Sequence, residues 1–124
     1  MRKWLLVTTA LFALLIVAIV VAANADALPL PLERLTNFPG GDKTGHFILF
    51  GILSFLLNKS ALMVCPQRTP LRLILSVSLL LSILIGLEEW SQSLFPARTA
   101  SLSDLLASYA GVFVSILVVF WTQR

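Results

Sequence analysis

From Trp4 to Ala23 the chain runs for about 20 residues without a charged side chain. Coiled as an α-helix, such a run matches the hydrocarbon thickness of a bilayer. Leu71 to Trp90 and Leu102 to Trp121 are apolar runs of similar length, charged only near their ends at Arg72, Glu88, Glu89 and Asp104. Thr44 to Val64 reaches a similar length if Lys59 stretches its stem toward the interface. Hydrocarbon contains no water to satisfy a peptide group, so each run must close its own backbone hydrogen bonds as a helix. The expected fold is an all-α polytopic membrane protein with four transmembrane helices, near 4–23, 44–64, 71–90 and 102–121, forming one domain over 1–124.

Composition agrees. Of the 124 residues, 58% are hydrophobic and 12% charged, whereas a soluble domain carries about 25% charged residues. A soluble core of this size has no room for that much apolar surface. The net charge of +3 comes from scattered Lys and Arg rather than a basic stripe, which argues against nucleic acid as a partner. Cys65 stands alone, so there is no internal disulfide and no cysteine metal cluster. It reads as an inert packing residue.

The connections are legible in outline. Arg2-Lys3 before the first run, with Ala23-Asn24-Ala25 and Ala25-Asp26-Ala27 after it, resemble a secretory signal peptide. Signal cores span about 7–15 residues, however, and the greater length favours a retained helix. Asn24 to Gly41 contains Pro29, Pro31 and Pro39 without a helical period and reads as an extended loop. Its Leu28, Leu30, Leu32, Leu35 and Phe38 suit contact with headgroups or the bundle. Pro66 to Pro70 is a short turn. Pro96 marks a break, after which Ser101-Leu-Ser-Asp104 has the spacing of a capping box.

Topology follows from basic residues in short loops. Arg2, Lys3, Lys59, Arg68, Arg72 and Arg124 fall at the two ends and in the middle loop. Arg34, Lys43 and Arg98 instead accompany all six acids: Asp26, Glu33, Asp42, Glu88, Glu89 and Asp104. Both termini are therefore expected in the cytoplasm, with the acids on the outer side of the membrane.

That outer side holds the candidate site. Asp42 and His46 lie four apart on one helical face, with Lys43 nearby. Asp42 can accept a hydrogen bond from the His46 ring, or simply favour the helix N-terminus while His46 is an interfacial residue. Glu88 and Glu89 sit about 11–12 Å from the centre of the third span, just inside a half-thickness of about 15 Å. A carboxylate there must be paired, hydrated or protonated, which makes it a functional candidate. The two acids point about 100° apart. Glu89 continues a stripe of Ser78, Ser82 and Gly86 and is expected to face neighbouring helices, while Glu88 is the one of the two expected to meet water or headgroups. Gln92 can reach either acid; the plain alternative is that these residues only end the helix at the interface. Arg98 offers a planar fork to a carboxylate or phosphate, or anchors to lipid phosphates. Asp104 fits a capping box, yet Asp104, Ser108, Gly111 and Ser115 form a narrow small-residue face aimed at the bundle.

No zinc-binding pattern, Walker motif or dinucleotide glycine pattern occurs, so no metal or cofactor is expected. The series Asp42-Lys-x-x-His46-Phe-x-x-Phe50, then Glu89-x-x-Gln92, Arg98, Asp104 and Gly111, resembles the VanZ-like family of small bacterial membrane proteins over roughly residues 42–111. The resemblance implies a multi-helix membrane protein. It also implies a link to low-level resistance to the glycopeptide teicoplanin, which is associated with the family's namesake. Motif positions carry over to Asp42, Lys43, His46, Glu89, Gln92, Arg98, Asp104 and Gly111. Ser108 departs from the family's Asn, losing the amide's second donor.

Three functional classes follow. In the first, an outward polar cluster of Asp42, Lys43, His46, Glu88, Glu89, Gln92, Arg98 and Asp104 binds a membrane lipid or lipid-linked envelope precursor. In the second, a membrane enzyme uses His46, Glu89 and Asp104 for acid–base hydrolysis or transfer on a headgroup. In the third, the cluster locks the helices of a non-catalytic scaffold.

Overall fold

The computed structural model of the chain describes residues 2–25, 27, 41–96 and 101–123, with backbone only at 2, 41 and 42. Most of the loop expected over 24–41, together with Arg98 and the Asp42 side chain, lies outside the described residues. Among the described residues four α-helices appear in order: α1 (Arg2–Asn24), α2 (Gly41–Val64), α3 (Pro70–Ser91) and α4 (Leu102–Thr122), with a 3-10 turn at Gln92–Leu94. All four are long and apolar enough to cross a membrane. The chain is the all-helical four-span protein that its apolar runs require.

Local chemistry sets the helix ends. α3 begins at Pro70, where a missing N–H costs nothing in the first turn. Ahead of α4, Ser101 is extended (φ −139°, ψ 122°) and its hydroxyl accepts the Asp104 N–H at 3.3 Å, satisfying one of the free donors of the first turn. α2 passes through Asn58-Lys59-Ser60 without a break. The Lys59 ammonium donates to Thr122 Oγ1 near the end of α4 at 2.7 Å and lies 5.8 Å from the Phe55 ring centre.

Contacts at the two ends fix the directions. Near the start of α1, Thr9 shares a 2.8 Å hydroxyl hydrogen bond with Ser60, near the end of α2. At the other end, His46 of α2 faces Glu89 of α3, and Ser101 at the start of α4 donates to the same Glu89. Successive helices therefore alternate in direction, and α2 and α4 run parallel. The start of α1 and the end of α4 lie at one end of the bundle, with Glu89 at the other.

The closest approach is between α2 and α4. A Cβ on Gly111 would run into the Phe47 carbonyl oxygen and come 3.1 Å from the Gly51 nitrogen; one on Gly51 would lie 3.4 Å from the Gly111 oxygen. Without a hydrophobic effect between them in lipid, helices adhere through such backbone contact, which only small residues allow. A modest apolar core surrounds the crossing: Phe50, Leu53, Leu81, Ile85 and Val112, with Ile16 from α1. α1 is peripheral, with 11% of its most apolar stretch buried. Leu79, Leu80, Ile83, Leu84 and Leu87 of α3 point outward. In water such a surface would be a large apolar liability; in a bilayer it is the lipid-facing wall.

Candidate functional site

The site forms where the end of α3 meets the starts of α2 and α4. The inward stripe of α3 is Ile74, Ser78, Leu81, Ile85 and Glu89, a spacing that keeps one seam of a helix against its neighbours. Glu89 at its end is only 5% exposed. Ser82 and Gly86, expected on this stripe, are half-buried at its edge. There the Tyr109 hydroxyl of α4 donates to the Ser82 carbonyl at 3.1 Å. Sequence reading did not single out Tyr109.

A buried carboxylate requires hydrogen-bond donors, and Glu89 has them. The Ser101 N–H donates to Oε1 at 2.7 Å, and the Gln92 side-chain amide donates to Oε2 at 3.1 Å. His46 Nε2 stands 3.8 Å from Oε2, an ion-pair distance when the ring is protonated. Gln92 is itself 2% exposed, and its amide also reaches Glu88 Oε1 and Oε2 at 3.1 and 2.9 Å. Of the two acids Glu88 is the more accessible, and it also belongs to the cluster. Glu88 is half-buried and tied to Glu89 through one amide, because Gln92 lies at i+4 from one acid and i+3 from the other.

α4 supplies the remaining wall. Asp104, Ser108, Gly111 and Ser115 are all buried, so the narrow small-residue face does turn into the bundle. Asp104 sits in the first helical turn, where a negative charge is favoured. Its backbone N–H is capped by Ser101, and its carbonyl accepts the Ser108 hydroxyl at 3.2 Å. At Ser108, then, the hydroxyl turns back on its own helix.

His46 is half-buried, its ring centre 6.1 Å from that of Phe50, and Lys43 is exposed at the start of α2. The structure thus brings together His46, Glu88, Glu89, Gln92 and Ser101, with Asp104 buried in the first turn of α4 beside them. Ser101 entered the sequence reading only as a cap, and its backbone contact to Glu89 carries no signal in a side-chain pattern. Among the described residues, no three His, Cys, Asp or Glu side chains converge to hold a metal ion.

Fold and site together define a four-helix membrane-spanning protein with a buried, hydrogen-bonded acidic cluster at one end. Comparison with known protein families, with curated proteins and with solved structures finds no match.

Proposed function

We propose that the chain is a VanZ-like integral membrane protein of the bacterial envelope. In this reading both termini are cytoplasmic, and the His46–Glu89 end faces outward to engage a lipid-linked or anionic envelope component. The observation that carries it is the 3.8 Å approach of His46 Nε2 to Glu89 Oε2. A buried acid, held by two other donors, stands behind a ring that is 19% exposed, so the imidazole lies between the acid and the surface. Lys43, one turn earlier on α2, adds a positive charge on the same side. Lys43 and Arg98 hold anionic oxygens in this reading, and His46 with Glu89 forms the proton-handling pair. An effect on teicoplanin susceptibility belongs to the same proposal.

The test is lipid co-purification from bacterial membranes with the full chain and its His46→Gln and Arg98→Ala variants. The reading requires a bound anionic or lipid-linked species that both variants lose while their folded yield is unchanged. An identical lipid profile in all three ends it.

One observation favours a second reading, a non-catalytic scaffold. The 2.7 Å bond from the Ser101 N–H to Glu89 ties the end of α3 to the start of α4, as a purely structural clasp would. A scaffold requires that Glu89→Gln reduce folded protein in the membrane as much as it reduces any phenotype.

A further inference from the structure

A second polar cluster lies in the bundle on the far side of the Gly51–Gly111 crossing from His46. Asn58 is 0% exposed. Its side-chain nitrogen donates to the Ser54 carbonyl at 2.9 Å, to Ser54 Oγ at 3.3 Å and to Ser78 Oγ of α3 at 3.2 Å. The donor half of the amide is thus fully engaged. The acceptor half is not: among the described residues, nothing donates to Asn58 Oδ1, and Ser115 Oγ of α4, itself buried, likewise lacks a partner. A carboxamide oxygen has two lone pairs and a hydroxyl both donates and accepts. Leaving either unpaired in an apolar interior costs the desolvation of that group with nothing in return, and lipid offers no relief.

The two orphan oxygens lie on helices that run parallel from a shared crossing. Ser115 follows Gly111 by one turn and Asn58 follows Gly51 by two, rises of about 6 and 10.5 Å. The two positions thus differ by about 4.5 Å along the helix axis, which puts both buried side chains in one layer of the bundle. We propose that a single buried water molecule lies between them, donating one hydrogen bond to Asn58 Oδ1 and exchanging another with Ser115 Oγ. Buried waters characteristically join polar groups that the protein leaves unsatisfied. A lipid hydroxyl is excluded as the donor, since Asn58 has no exposed surface through which a tethered group could enter. The described acids stand at the opposite end of the bundle, so nothing charged recommends a cation. The water completes a polar joint among α2, α3 and α4 in a region where lipid supplies no hydrophobic drive for association.

Water-edited solid-state NMR on the full chain, isotope-labelled and in lipid bilayers, tests this. Magnetisation from water should reach the Asn58 side-chain amide and Ser115 several-fold faster than Ile74 and Val119, which are equally buried but apolar. Transfer as slow as at those two residues overturns the proposal. In Ser115→Ala the transfer at Asn58 should fall markedly, because the water loses one of its holders. Unchanged transfer at Asn58 in that variant overturns the single bridging molecule.

Discussion

The Gln92 side-chain nitrogen lies 2.9 Å from Glu88 Oε2 and 3.1 Å from Glu89 Oε2, so one neutral amide joins the carboxylates of consecutive residues. Removing it leaves two acids side by side without their shared donor. Gln92→Leu should lower unfolding free energy in mixed micelles by about 1–3 kcal/mol. Gln92→Glu should cost more, because it adds a third negative charge to the group. Equal stability of all three proteins would show that the amide is not what holds the acids together.

Glycine substitutions should rank by what surrounds each position. Gly111→Ala drives a methyl group into the Phe47 backbone, which cannot yield as a side chain can. Its cost should be about 1–3 kcal/mol or more, as for other overpacked sites. Gly51→Ala meets Gly111 at 3.4 Å and should cost less. Around Gly45 nothing lies within 4 Å, and Gly45→Ala should be neutral or stabilising by up to about 1 kcal/mol through helix propensity. Thermal unfolding of the three variants in detergent checks the order.

Ser101 has two separable roles. Its hydroxyl caps α4 at Asp104 N and its backbone N–H binds Glu89. Ser101→Ala removes only the first and should cost about 0.5–2 kcal/mol, leaving the Glu89 contact intact. Ser101→Pro removes the N–H as well and cannot keep the φ of −139°, so it should be clearly worse. If the two variants unfold together, the bond to Glu89 contributes nothing.

The alternation of helices makes a topological prediction. With Cys65 replaced by Ser, cysteines introduced at Gln67 and Gln123 should react with an impermeant thiol reagent from one face of the membrane. One at Ser93 should react only from the other. Labelling of positions 67 and 93 from the same face would contradict the arrangement of α3. Outward labelling of 93 in intact cells is the result that the proposed orientation requires.

Much of this molecule is readable from the order of its residues. Uninterrupted apolar runs can satisfy their backbones only as helices in hydrocarbon, so four spans and their limits follow within a few residues. Asp104 points inward on a face of small residues, and Glu89 on the stripe of Ile74, Ser78, Leu81 and Ile85; both periodicities are local. Pairing across helices is not local. That His46 of α2 faces the Glu89 carboxylate, that a backbone N–H at Ser101 completes the Glu89 shell, and that Gly111 has Gly51 as its counterpart all depend on which helices touch and at what height. The same holds for Asn58, which by sequence only interrupts an apolar run and by packing joins α2 to α3. Hydrophobicity is a property each segment carries alone, whereas a hydrogen bond between helices exists only once the bundle has set its crossings.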